Sequence, residues 1–484
     1  MKARVFKLMA ALLVALVAAQ GIGARHVYAQ TVSMASTFQV LNLSKTNVAS
    51  IQVTYYDQNG NLAPMATGYV NPDNDTVQPG QSNTYNPIRA ASGFNGSVVI
   101  SSGEQIAVVS NLTVNTTAIG LGSYVGVAAG SPKLYFPVLQ RSNNSNNSTF
   151  NVQNTTSGAD VTIQINFVGQ PGKGFSTIAP VSKTIKPGAA NTFNLATMTE
   201  FASAGKWIGS ATVTVTAPAG GTVAGVANTI RSSNAAAYEL QTYNAFGSGS
   251  TTVIAPLVQE NNNLNSSTIN CQNLDPTTTT TITAKYTPGP GFPAKAPESS
   301  STVSPNGIVP NGSVTFFQLV TTNNVPPRFV GSATITSDPP VPLACVINQA
   351  RRVSGRTSSY EGFDPSKATS TVVIPLVQSR NGNATNGYVS STINVSTVDG
   401  SSTTFKVDYQ PAPGFADPAD VITAPGSSAT PSQVDVFGTG ARFIGGAIVT
   451  SLDGKPIVAI VNQGRSGGPY AVRDTLSTYD AFNN

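Results

Sequence analysis

Pro137-Val138-Leu139-Gln140 recurs as Pro256-Leu257-Val258-Gln259 and as Pro375-Leu376-Val377-Gln378, each copy 119 residues after the last. A second anchor keeps the same order: Ser148-Thr149-Phe150-Asn151 returns as Ser267-Thr268-Ile269-Asn270 and Ser391-Thr392-Ile393-Asn394, with Ser36-Thr37-Phe38-Gln39 as an earlier copy. A third runs Trp207-Ile208-Gly209-Ser210-Ala211, Phe329-Val330-Gly331-Ser332-Ala333 and Phe443-Ile444-Gly445-Gly446-Ala447, preceded by Phe94-Asn95-Gly96-Ser97-Val98. An asparagine follows each, at Asn111, Asn228, Asn348 and Asn462, and the units close on Tyr124, Tyr243, Tyr360 and Tyr479. Ordered anchors at one period mean that a single module has been copied along the chain, and this decides the fold before any local reading.

Within a unit, Ile51-Gln52-Val53-Thr54-Tyr55, Val161-Thr162-Ile163-Gln164-Ile165 and Phe405-Lys406-Val407-Asp408-Tyr409 alternate apolar and polar residues and are rich in β-branched and aromatic side chains. That is the period of a half-buried strand. Asn59-Gly60, Pro79-Gly80, Pro187-Gly188, Asp399-Gly400 and Asp453-Gly454 supply the turns between strands. Nothing after the first 29 residues shows a helical period. The expectation is an all-β chain: four tandem immunoglobulin-like β-sandwich domains in a string, each large enough to fold alone. The boundaries expected are a leader at 1–29, a divergent repeat 1 at 30–129, and repeats 2, 3 and 4 at 130–248, 249–366 and 367–484.

The first copy departs from the rest. It has no Pro-x-x-Gln strand, because too few residues separate the expected cleavage point from Thr37, and it carries Val114 where the others have arginine. A sandwich missing its first strand has an open edge, and an open edge accepts a strand from another molecule. Head-to-tail assembly into a filament or surface lattice is the resulting expectation.

Lys2, Arg4 and Lys7, the apolar run Leu8–Ala19 and Val27-Tyr28-Ala29 before Gln30 have the order of a secretory signal peptide. The protein is therefore expected outside the cell, secreted or at the cell surface, with no membrane span. Only 10% of the 484 residues are charged. The first 29 residues hold four of the 26 basic residues and none of the 21 acidic ones, leaving 22 against 21, so a nucleic-acid partner is not expected. The single histidine, His26, lies in the leader. What remains cannot build a Ser-His-Asp triad or a His-ligated metal site. The six glutamates occupy unrelated repeat positions, so no catalytic residue, cofactor or metal is expected, and the chain is not read as an enzyme.

Four sets of residues could nonetheless act. Arg231, Arg351 and Arg465 stand three residues after the repeated asparagine and could clamp a sugar, a carboxylate or a neighbouring subunit, or else fix a strand end. Phe175, Phe292 and Phe415 follow Pro- and Gly-rich loops and could stack on a cell-surface glycan, or else cap their own sandwich. Cys271 and Cys345, the only cysteines, align with inward-facing positions of other units, and either form one bridge or remain two buried thiols. Thirteen N-x-S/T sequons occur, and Asn143, Asn146, Asn147, Asn265 and Asn383 among them offer acceptors for glycosylation. Asp73-Asn74-Asp75 reads as a turn before it reads as a calcium-binding fragment.

In its Pro-Leu-Val-Gln, Phe-Val-Gly-Ser-Ala and Val-x-Asn-Gln motifs the chain resembles tandem-repeat, immunoglobulin-like β-sandwich proteins that bacteria export to the cell surface. That resemblance implies a structural role, as sheath or surface-layer component, filament subunit or adhesin stalk, with a homo-oligomer as the natural partner. A carbohydrate-binding or adhesive module array is the alternative.

Overall fold

A computed structural model describes residues 34–114, 120–173, 175, 177–234, 237–318, 328–351, 356–385, 387–416, 418–438, 440–466 and 476–483. The expected leader lies outside them. The described chain is all-β, built of antiparallel sheets that fall into four consecutive pairs.

The first pair comprises β1 (Met34–Asn42), β2 (Ala49–Asp57), β3 (Asp73–Val77), β4 (Ser82–Tyr85), β5 (Gly96–Ser102), β6 (Ile106–Val114) and β7 (Leu121–Val125), in sheets ordered β4-β1-β6-β7 and β3-β2-β5. The second has β8 (Lys133–Arg141), β9 (Asn146–Asn154), β10 (Val161–Gly169), β11 (Val181–Ile185), β12 (Ala190–Asn194), β13 (Trp207–Ala217), β14 (Val223–Asn234) and β15 (Ala237–Asn244), ordered β11-β10-β13-β8 and β12-β9-β14-β15. The third has β16 (Thr252–Glu260), β17 (Asn265–Asn273), β18 (Thr281–Pro288), β19 (Glu298–Ser299), β20 (Ser313–Phe317), β21 (Phe329–Asp338), β22 (Leu343–Arg351) and β23 (Arg356–Glu361), ordered β16-β21-β18-β19 and β20-β17-β22-β23. The fourth has β24 (Thr371–Ser379), β25 (Asn381–Asn383), β26 (Gly387–Thr397), β27 (Phe405–Pro411), β28 (Val421–Ile422), β29 (Ser428–Ala429), a short helix α1 (Gln433–Phe437), β30 (Phe443–Ser451), β31 (Ile457–Ser466), β32 (Leu476–Asp480) and β33 (Phe482–Asn483). Its sheets run β28-β27-β30-β24-β33 and β25-β26-β31-β32, with β29 on β26.

The repeated motifs are the joints of this architecture. Proline cannot donate to a ladder, and at Pro137, Pro256 and Pro375 the pairing of β8, β16 and β24 shifts register as a bulge. The carbonyl after each proline, on Val138, Leu257 and Leu376, accepts the hydroxyl of Tyr243, Tyr360 and Tyr479 from the facing sheet, at 2.6 and 2.5 Å in the first two cases. Two residues further on, the backbone N–H of Gln140, Gln259 and Gln378 donates to Ser148, Ser267 and Ser391 at 2.8, 3.0 and 3.0 Å. The repeated asparagines form cross-strand pairs, accepting from Ser123, Thr242, Ser359 and Thr478 at 2.6–3.0 Å, and Asn228 and Asn348 are buried. Cys271 and Cys345 face each other on β17 and β22 and are joined by a disulfide, Sγ–Sγ 2.08 Å. The same ladder position holds Val152 opposite Gly225 and Val395 opposite Ala459.

The pairs do not lie in a string. The last closes onto the first: Gln39 on β1 donates to the Pro375 carbonyl on β24 at 3.0 Å across 336 residues, and Val109 of β6 belongs to the core of the fourth pair. Likewise Val346 of the third pair joins the core of the second, and Ile460 of the fourth joins the core of the third. Strands β7, β15, β23 and β32, which carry the closing tyrosines, pack against one another in turn around a central axis. The residue after each tyrosine links the ring. Asn244 donates its side-chain amide to the Val125 carbonyl at 3.1 Å, Glu361 accepts the Asn244 N–H, and Asp480 accepts the Glu361 N–H at 3.1 Å. The string expected from the short connections therefore fails for a plain reason. Strands such as β8 are buried on both faces, one against their own sheet pair and one against the next.

Candidate assembly edge

Successive pairs dock in a repeated way. Ser210 on β13 donates to the Asn311 carbonyl at 2.7 Å, and Ser97 on β5 donates to that of Gly188. Both acceptors sit in turns at positive φ, 58° and 72°, a backbone state that glycine and asparagine reach at least cost. Gln170 donates to Thr315 at 2.7 Å, and Gln58 to Thr192 at 3.4 Å. The junctions between pairs one and two and between pairs two and three thus share a geometry, but one component differs. In the second junction β8 lies on β17 and β22, whereas among the described residues the first pair has no such strand and β5 ends its sheet.

The consequences are visible at several of the equivalent positions. Val109, Val346 and Ile460 are fully buried, while Val226, at the same register on β14, is only half-buried. Asn270, Asn394 and Gln39 are buried and Asn151 is not; Gln272, Ser396 and Leu41 are buried and Gln153 is not. On the first pair's own side, Ile100 is half-buried where Val213, Ile335 and Val449 are fully enclosed, and Val99 is 37% exposed. Tyr124, half-buried, hydrogen-bonds to Ser110 in place of a bulge carbonyl. The first unit was expected to lack its first strand; among the described residues no strand pairs with β5 on the side away from β2.

The other candidate residues take the following places in the fold. Arg231 pairs with Glu239, its cross-strand neighbour, at 3.2 Å and donates to the Asn144 carbonyl at 3.2 Å. Arg351 lies opposite Arg356 on β23, and Arg465 opposite Val389 on β26, both half-buried. Phe175 packs on the core of the second pair, Phe292 lies under Arg328 at 5.1 Å, and Phe415 meets Phe443 edge-on at 6.2 Å beneath Arg442. Phe415 differs from the other two in also lining a cleft of ≈ 300 Å³ between the fourth and first pairs, opposite Asp75, Asn83 and Arg89. Asn143 donates to the Gln140 side chain at 2.5 Å, Asn146 and Asn265 donate to turn carbonyls at 2.9 Å, and Asn147 accepts from Ser142 at 2.9 Å. Asn383 sits exposed on β25.

Two features escape sequence reading. Asp73-Asn74-Asp75 is the start of strand β3, not a turn, and its carboxylates grip Arg89 at 2.7 and 3.0 Å beside Tyr85 and Tyr69. Asp480 is buried against Glu361, and burial, followed by the neighbouring carboxylate, pushes its carboxyl well above the usual range. Four copies with Val, Asn, Glu and Asp at one position gave no pattern to find it by. No group of three or more His, Cys, Asp or Glu suited to a metal occurs among the described residues, and no helix there is long and apolar enough to cross a membrane.

No protein-family model matches the chain, and no curated protein matches it either. Among solved structures it is similar to one described as "Crystal Structure of Thermotoga maritima 1070", at 16% identity and a TM-score of 0.19, over 24% of this chain and 94% of that chain.

Proposed function

We propose that the chain is a non-catalytic structural component exported to the bacterial cell surface, a sheath, surface-layer or filament subunit built of four immunoglobulin-like β-sandwich repeats and joined to a neighbouring chain through β5. The observation that supports this reading is the open edge: among the described residues a sheet that ends on β5, paired on one side only, beside a face that is covered at the three equivalent junctions. Unpaired ladder groups at such an edge favour strand addition. The low charge and the Ser-, Thr- and Asn-rich exterior suit a neutral, hydrated material. Electron microscopy of native surface material and of the purified exported chain over a range of concentrations tests the proposal. Ordered material containing the chain supports it, and monomers alone in both preparations refute it.

A second reading, a carbohydrate-binding or adhesin module array, is favoured by the Phe415 cleft, where an aromatic ring faces the polar Asp75, Asn83 and Arg89. Glycan-array binding lost in a Phe292→Ala, Phe415→Ala double variant supports it; ordered polymers without glycan affinity oppose it.

A further inference from the structure

β5 and the β9/β14 face stand where, in the next junction, β13 and the β17/β22 face hold β8 between them, and the molecule itself shows three times what fills such a place. We infer that this place takes a nine-residue extended strand of the pattern apolar-apolar-apolar-Pro-apolar-apolar-Gln, supplied by a different polypeptide. The inference rests on the reading of β5 as the joining edge and names the chemistry of what joins there.

The templates are Lys133–Arg141, Thr252–Glu260 and Thr371–Ser379. Each pairs with the strand equivalent to β5, namely β13, β21 and β30. On β13 the Val215 N–H donates to Pro132 on the β8 side. Strand alternation then turns the N–H groups of Val98, Ile100 and Ser102 on β5 toward that place. A bulge at the donor's proline would bring the following carbonyl to the Tyr124 hydroxyl, as it does for Tyr243, Tyr360 and Tyr479. The donor's glutamine N–H would reach Ser36, which stands where Ser148, Ser267 and Ser391 accept that bond. The proline carbonyl would meet Asn151, as Pro375 meets Gln39. Val226 would be covered as Val109, Val346 and Ile460 are.

The donor is not one of this chain's own Pro-x-x-Gln strands in a second copy, because each is buried from its second to its eighth residue inside its own molecule. Counting back from Met34 at the spacing of the later copies places Gly21–Ala29 at the same position. That stretch has no proline or glutamine and falls within the expected leader.

The test is fluorescence anisotropy on the purified exported chain with a labelled peptide Thr-Val-Val-Ile-Pro-Leu-Val-Gln-Ser carrying two added lysines, alongside hydrogen exchange of the β5 amides. The expected result is saturable binding that slows exchange at Val98, Ile100 and Ser102. It should weaken at least tenfold when the peptide's leucine and third valine become aspartate, and at least tenfold in Val226→Arg or Ile100→Pro protein. Should either variant fail to fold, Tyr124→Phe, which leaves the core filled, is expected to weaken binding severalfold. No saturable binding, binding indifferent to these changes, or β5 protection that rises with protein concentration without peptide overturns the inference, the last by making the occupant a second copy. Ordered polymers that the peptide does not compete with would leave the structural role standing and remove this inference. Peptide binding without any ordered material in the native coat would do the reverse.

Discussion

Replacing Tyr360 by phenylalanine removes one hydroxyl and nothing else from a ring that is 1% exposed. That hydroxyl donates to Leu257 at 2.5 Å and ties two facing sheets together. A neutral hydrogen bond contributes about 1 kcal/mol net, and stranding the buried bulge carbonyl brings the cost to roughly 1–3 kcal/mol. Tyr243→Phe and Tyr479→Phe remove the same bond, to Val138 and Leu376, and should cost the same. Tyr124→Phe should cost about 1 kcal/mol, less than the other three, because its buried hydroxyl bonds to Ser110 and, among the described residues, leaves no strand carbonyl stranded. Urea unfolding of the four single variants measures this, the midpoint shift giving the change in stability while the slope is unchanged. A Tyr124→Phe variant as destabilised as the other three refutes the reasoning, since it would mean that the first pair has its strand after all. Four neutral variants would refute the role of the tyrosine bond altogether.

Asp480→Asn should flatten a pH dependence. The buried carboxyl has a folded pKa above its unfolded value, so as pH rises from about 4 the unfolded chain gives up its proton first and stability falls until the folded pKa is passed. The variant should melt higher than the parent at pH 7–8 and level with it near pH 3.5; a variant that melts lower at pH 7–8 contradicts the assignment. Asp275 works in the opposite sense: backbone N–H groups of Thr277 and Thr278 hold it down to about 2, so its stabilisation is present above pH 4 and lost toward pH 2, and Asp275→Asn should lessen acid sensitivity in a melting series. A Cys271→Ala, Cys345→Ala double variant opens a loop spanning 74 residues, at a chain-entropy cost of about 4 kcal/mol; a melting midpoint equal to the parent's would refute that. Gln39→Ala removes the bond that joins the ends of the ring and should cost about 1 kcal/mol, with exchange rising in both β1 and β24 while β9 and β17 stay protected.

Much of the architecture was legible because each repeated motif does one physical job in each of the last three copies. Pro-x-x-Gln is a bulge and two hydrogen-bond anchors, the asparagine is half of a cross-strand pair, and the closing tyrosine crosses the core. The proposed shortfall of the first copy is read in the same way, from a motif missing at a known place. The ring was not, because its contacts use residues such as Val109, Val346 and Ile460, which the alternation assigns to the outer face of a strand. The available signal was the unbroken apolar run Leu134–Leu139, too hydrophobic for a strand with one wet face. The repeated arginines and loop phenylalanines drew attention by recurring, and several of them also make contacts within the fold. Their partners, Glu239 for Arg231 and Phe443 for Phe415, belong to the same sheet pair.

The central claim is that β5 presents an unpaired edge where the other three sheet pairs hold a strand. Residue-resolved hydrogen exchange of the purified chain without any peptide addresses it most directly. The account predicts that Val98, Ile100 and Ser102 exchange at least ~100-fold faster than their equivalents Ala211, Val213 and Val215 on β13. Equal protection at the two sets, in dilute protein, would mean that the edge is already closed and would contradict it.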